Sequence, residues 1–305
     1  MHQPSPQNKA KATVKLAVIG DVHDLWERED NAALKSLNVD IALFVGDYGN
    51  EAVEVVRHIA AVDMPKAAVM GNHDAYYSAS NKGIKNCPYD RTKEDWVQLQ
   101  MDLLGEAHIG FGKREFPQFE LTIVGGRPFS WGGSKWRYGK FYRDRFDIRN
   151  FEDSAERILS AADEAEHNTV IFLGHVGPYG LGDQPNDICG KDWGKNGGGG
   201  DYGDPDFAKA IALTQNTGKR VPLVTFGHMH HTLKNRTDQI RTRVTKTDNT
   251  IYFNAANVPR IEKTSTGYRR SFSVVTLNAG TVESIELIWL NARFAPLSKE
   301  CLYHR

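Results

Sequence analysis

Apolar and polar positions fall in blocks along this chain, and one figure recurs. Residues 14–20 (VKLAVIG), 41–46 (IALFVG), 66–71 (KAAVMG), 169–174 (TVIFLG) and 222–227 (PLVTFG) are short apolar runs, each closed by glycine. Runs of this length without polar alternation predict strands buried on both faces. Helical patterns lie between them. In 92–105 (TKEDWVQLQMDLLG), Thr92 and Asp95 stand at capping-box spacing, Trp96, Leu99 and Leu103 share one face, and Gly105 is placed to stop the helix. Residues 153–165 open on Asp153 as N-cap with Glu156 three positions later, and 204–213 open on Asp204 with Pro205 at the first helical position. The C-terminal third changes character. Residues 250–258, 271–278 and 281–290 read as strands joined by short turns, expected to pair antiparallel. Parallel βα units followed by such strands predict an α/β fold of two packed mixed β-sheets flanked by helices. The expected organisation is a disordered tail over 1–12, one domain over 13–292 and a C-terminal extension over 293–305.

Composition narrows the function classes. Lys+Arg and Asp+Glu both number 38, so the chain lacks the basic excess that phosphate-backbone binding demands, and nucleic acid is not the expected partner. Cys87, Cys189 and Cys301 are odd in number and never paired as C-x-x-C, which suits free thiols in a reducing compartment; the expected location is cytoplasmic. No apolar run approaches the ~18 residues of a bilayer span, and the polar start of the chain has no secretory h-region. Oligomeric state is not readable. Two loops stand out: residues 125–147, rich in Gly, Arg and aromatics, and 191–205, with four consecutive glycines. Each reads either as a flap over a site or as a surface insertion.

The glycine-closed runs each deliver metal-ligand residue types. In order they present Asp21 and His23 (GDVHD), Asp47 (GDYGN), Asn72, His73 and Asp74 (GNHD), His175 (GH), and His228 and His230 (GHMHH). Loops beyond the carboxyl ends of parallel strands converge on one crevice. Asp21/His23 and His228/His230 are two apart, so in extended backbone both members of a pair project the same way. Any one of these pieces alone is also a good turn or cap. Five in succession point to a metal site.

In this order the motifs D-x-H, G-D, G-N-H-D, G-H and G-H-x-H resemble the calcineurin-like metallophosphoesterase superfamily, over residues 21–230. The wider sequence also resembles an uncharacterised branch met in photosynthetic organisms. The resemblance implies a metallophosphoesterase-like sandwich and a metal-dependent phosphoric ester hydrolase. Asp21, His23, Asp47 and His230 would hold one cation and Asn72, His175 and His228 a second, with Asp47 bridging. The pair would sit ~3.5–4 Å apart, binding a phosphoryl oxygen while a shared hydroxide attacks in line. Imidazole and carboxylate without thiolate suit two divalent transition metal ions, Mn²⁺ first, Fe or Zn²⁺ otherwise.

By the same resemblance His73 is the catalytic residue that protonates the leaving oxygen. Many relatives carry an acid three residues after the G-D aspartate; here Asn50 stands there and brings no charge. Asn50 and Asp74 are expected behind the ligands as supports, and His231 outside the site. The chain lacks the D-R-G of protein serine/threonine phosphatases, so the expected substrate is a small phosphomonoester or phosphodiester, nucleotide-like esters included. Arg127, Arg145 and Arg149, in or beside the aromatic-rich loop, are candidates to clamp its phosphate. The alternatives are a nuclease or RNA-end phosphodiesterase of the same superfamily and a metal-poor scaffold that binds a partner protein.

Overall fold

A computed structural model describes residues 12–194, 198–234, 236–265 and 267–305; the tail over 1–11 and the centre of the glycine-rich loop lie outside these. In chain order the elements are β1 (Thr13–Ile19), α1 (Arg28–Ser36), β2 (Ile41–Phe44), α2 (Val53–Ala60), β3 (Lys66–Ala68), α3 (Tyr76–Ala79), α4 (Asn81–Lys85) and α5 (Trp96–Leu104). There follow β4 (Lys113–Phe116), β5 (Leu121–Gly125), α6 (Gly139–Phe146), α7 (Phe151–Asp163), β6 (Thr169–Leu173), α8 (Pro205–Asn216) and β7 (Arg220–Phe226). The chain closes with β8 (Val244–Thr247), β9 (Thr250–Asn254), β10 (Ile261–Thr264), β11 (Gly267–Asn278), β12 (Thr281–Leu290) and β13 (Pro296–His304).

Two mixed sheets result. The first has order β13-β12-β11-β1-β2-β3, with β10 also on β11; β1, β2 and β3 run parallel and β11 joins β1 antiparallel. The second has order β4-β5-β6-β7-β9-β8, in which β5, β6, β7 and β9 are parallel. Because side chains alternate across a strand, each buried strand feeds two cores. Leu16 and Val18 of β1 point between the sheets to meet Ile123, Ile171 and Leu223, whereas Ala17 and Ile19 point outward to Trp26, Val56 and Ile59. On the far side, Val170 and Phe172 of β6 pack under Ile158 and Phe207 of α7 and α8. This two-sided burial is why the strand sequences show no polar alternation.

Several expectations need correction. Asp95 caps α5, accepting from Gln98 N at 2.9 Å, and Thr92 sits in the preceding turn on Asp90. The buried face of α5 is Val97, Gln100 and Leu104, while Leu99 is exposed. Gln100 is drawn inward because its amide donates to the Asp74 carbonyl at 2.9 Å, and Trp96 stacks on Tyr89. α7 begins two residues before Asp153; Asn150 is its cap and accepts from Asp153 N. β9 pairs parallel with β7 and antiparallel only with β8. The 293–305 segment carries β13, which extends the first sheet along β12. α8 starts at Pro205 after Asp204 as read from sequence.

Candidate metal centre

The five glycine-closed strands β1, β2, β3, β6 and β7 end side by side, and the residues after them turn inward. Asp21, His23, Asp47 and His228 have φ of 45°, 44°, 56° and 68°. The Asp21/His23 pair is therefore left-handed rather than extended, a conformation that L residues hold only when their surroundings over-determine it. Glycine is required where these turns touch. A Cβ on Gly71 would stand 2.3 Å from Asp47 Oδ1 and 2.4 Å from its amide nitrogen, and one on Gly227 would stand 2.2 Å from Asp21 Oδ2.

Backbone amides aim the carboxylates. His228 N donates to both oxygens of Asp21 at 3.0 Å, and His73 N donates to Asp47 Oδ1 at 2.9 Å. Asp74 is fully enclosed and accepts from the amides of Asp47, Tyr48 and Gly71 at 3.0, 2.8 and 2.6 Å, tying the second motif to the third.

The donor atoms meet in adjacent groups. His23 Nε2 lies 3.0 Å from His230 Nε2 and 4.0 Å from Asp21 Oδ1, and His230 Nε2 lies 3.6 Å from Asp21 Oδ1. In the neighbouring group, His175 Nε2 lies 3.1 Å from Asn72 Oδ1 and 3.3 Å from Asp47 Oδ1. Ligands about 2.0–2.1 Å from one cation stand roughly 3–3.4 Å apart at tetrahedral or right angles; the His23–His230, His175–Asn72 and His175–Asp47 separations match this, and those to Asp21 are wider. Asp21/His23/His230, Asp47/His175/His228 and His23/Asp47/His73 each bring three donor atoms within 4.8 Å of one another. His175 donates Nδ1–H to Val45 O at 2.8 Å, which leaves its Nε2 lone pair facing the site.

Charge supports the same fit. Burial pushes the Asp21 and Asp47 carboxyls up, but His230 and His175 beside Asp21, and His175, His73 and His23 beside Asp47, outweigh it and hold both below the ordinary value. Burial holds His228 well down, so its imidazole is neutral and free to ligate. Among the described residues no Lys or Arg pairs with either carboxylate. Buried carboxylates need a positive partner; here only imidazoles face them, and those imidazoles with the carboxylate oxygens form a donor set that suits a divalent transition ion.

The sequence pattern of calcineurin-like phosphoesterases matches residues 14–232. The chain belongs to that family. It is accordingly a metal-dependent hydrolase of phosphoric esters. No curated protein matches it by sequence. One solved structure, 13% identical, superposes with a TM-score of 0.52 over 90% of this chain and 98% of its own, which supports the fold. A dimetal phosphatase from Danio rerio is 10% identical, with a TM-score of 0.48 over 96% of this chain and 99% of its own. A purple acid phosphatase from yellow lupin (Lupinus luteus) seeds is 13% identical, with a TM-score of 0.45 over 98% of this chain and 55% of its own.

Around the donors the phosphoesterase forms a cavity of about 310 Å³. His73 faces it, its Nδ1 donating to Asn50 Oδ1 at 2.7 Å and its ring near-parallel to those of Tyr76 and Trp131 at 5.9 and 6.4 Å. Trp131 comes from the first noted loop, and Trp193 and Tyr202 from the second, so both loops line the site. Tyr202 lies parallel to His228 at 6.4 Å. Arg241, invisible in a polar stretch of sequence, grips the carbonyl of His230 at 2.9 Å and those of Pro185, Asp187 and Gly190. His231 is buried, bonded through Nε2 to Asn254 O at 3.0 Å and pushed down to about 4 by burial.

The three arginines fall elsewhere. Arg127 is buried, with Nε on Asp206 at 2.8 Å and Nη2 on Asp204 at 2.7 Å beneath Trp136, Tyr142 and Phe151, so a substrate phosphate has no way to reach it. This pairing also occupies Asp204, which caps α8 without a side-chain bond. Arg145 is held by Asp95 at 2.7 Å, and Arg149 lies at the surface on Asp147. None of the three lines the cavity.

Proposed function

We propose that this phosphoesterase is a dinuclear enzyme hydrolysing small phosphomonoesters or phosphodiesters, nucleotide-like esters among them. The observation that carries the reading is Asp47, whose two oxygens face different donor groups: Oδ1 is 3.3 Å from His175 and Oδ2 is 3.9 Å from His23. On this reading Asp21, His23, Asp47 and His230 hold one cation, and Asp47, Asn72, His175 and His228 hold the other, with Mn²⁺ the first candidate. When bound, the cations polarise the phosphoryl group and acidify water for the attack.

The chain's own groups do the rest. His73 keeps its Nδ1 proton on Asn50 and presents Nε2 to the leaving oxygen, delivering the proton there. That hydrogen bond keeps the ring from turning away, with Tyr76 and Trp131 near-parallel beside it. A cavity of about 310 Å³ matches a small substrate, and Trp131, Trp193 and Tyr202 offer faces for a planar group. Three free cysteines suit a reducing compartment, and the cytoplasm is the proposed location. No helix among the described residues is long and apolar enough to cross a membrane.

Metal analysis and a panel of mono- and diesters on one preparation test this reading. Two ions per chain with Mn²⁺-stimulated hydrolysis are expected. Protein that takes up no transition metal and cleaves none of the panel would instead be a scaffold.

A further inference from the structure

His73 marks the side of the site from which the leaving group departs, and the surface past it is an open groove of about 1470 Å³ between segments 76–98 and 131–145. Trp131 lines both the metal cavity and this groove, so the two spaces meet at its indole. The aromatic wall is continuous. Tyr76 stacks on His73, His73 on Trp131, and Trp131 leans on Tyr138 at 5.9 Å.

The charge of the groove is uneven in a way the neutral whole molecule conceals. Two of its cations are already committed, Arg145 to Asp95 and Lys140 to Asp144. Lys82 and Arg137 make no ion pair among the described residues, and Arg91 reaches only the Ser78 carbonyl at 3.4 Å. The one acid left over, Glu94, accepts from the Trp96 indole at 2.9 Å. Three cations without carboxylate partners therefore line a groove that opens beside the proton donor.

We propose that this groove receives a leaving group that itself carries a phosphate, which makes the favoured substrates phosphoesters with a second anionic group on the departing alcohol. The proposal rests on the hydrolytic reading above for its polarity, since His73 must serve the leaving oxygen. In the reaction water adds to phosphorus, the ester oxygen departs with the His73 proton, and inorganic phosphate and a phosphate-bearing alcohol are released. Lys82, Arg91 and Arg137 hold that second phosphate through charge-assisted hydrogen bonds, and Tyr138 with Trp131 offers apolar faces to the part of the leaving group that links the two phosphates.

The test compares thymidine 3′,5′-bisphosphate with thymidine 3′-monophosphate on the metal-loaded enzyme. Whichever bond of the bisphosphate is cut, the departing alcohol carries the other phosphate. The bisphosphate should have the higher kcat/KM by about tenfold or more. Joint Lys82→Ala and Arg137→Ala replacement should cut that preference about tenfold; both residues are exposed, so the fold is undisturbed. Calorimetric binding of the bisphosphate to chelator-treated protein should weaken by a similar factor in the double variant. Hydrolysis without preference, or a preference and affinity indifferent to the two substitutions, overturns the groove. Loss of all hydrolysis with the charge-dependent binding intact would instead sink the hydrolytic reading and leave the groove standing.

Discussion

Asp47 and His73 sit 26 residues apart and are joined by the bond from the His73 amide to the Asp47 carboxylate, yet their replacements should behave differently. Asp47→Asn exchanges one anionic oxygen for an amide nitrogen that donates, so it should lower metal content by at least one ion per chain and activity by about a thousandfold or more. Metal analysis beside hydrolysis of an aryl phosphate reads both. His73→Gln should keep the metal content of the unaltered protein and slow turnover by about 10²–10⁴, most for esters with poor leaving groups; equal losses across leaving groups would remove the proton-donor role. The donor residue types were readable residue by residue because each stands two to four residues beyond the end of its strand. Arg241 and Trp131 were not, since nothing local distinguishes a rim residue from any other loop residue.

At the scale of elements, the strand ends matter more than the strands. The segments that follow β1, β2, β3, β6 and β7 press against one another closely enough to require glycine at Gly20, Gly46, Gly71 and Gly227. Gly227→Ala should push the Asp21 carboxylate aside, weaken metal uptake and lower the unfolding midpoint by an amount worth about 1–3 kcal/mol. Gly112→Ala, with its nearest neighbour 3.7 Å away, is the control expected to change neither. The same closeness explains the misread face of α5. Apolar spacing nominated Leu99, but tertiary packing chose Gln100 because the Asp74 carbonyl needed a donor. The cap of α7 shifted from Asp153, the residue expected from sequence, to Asn150, whose side chain accepts from Asp153 N where the chain enters the helix.

For the whole molecule, two-sided burial of both sheets leaves histidines enclosed as well as hydrophobic side chains. Burial pushes His108 and His231 down to about 4, and the Nε2 of His108 and Nδ1 of His231 have no hydrogen-bond partner among the described residues. An unfolded histidine titrates near 6.5, so between about pH 6.5 and 4 the unfolded chain binds more protons than the folded one. Stability is then complete above that window and falls through it as pH drops, by up to about 1.4 kcal/mol per pH unit for each histidine. Urea unfolding of chelator-treated protein at pH 7.5 and 5 should show the loss, and His108→Leu should flatten its share of it. A stability independent of pH across this range would contradict the burial.

From the sequence alone followed the family, the two-sheet sandwich and the residue types at five strand ends, because these depend on short-range patterns: apolar runs, closing glycines and polar residues one to three places beyond. Tertiary structure alone decided which donors share a cluster, which oxygen of Asp47 faces which histidine, the direction of β9 beside β7, and the withdrawal of Arg127 beneath Trp136. Those outcomes depend on contacts between segments far apart in the chain, where no local pattern says which of several polar residues will be buried against which partner.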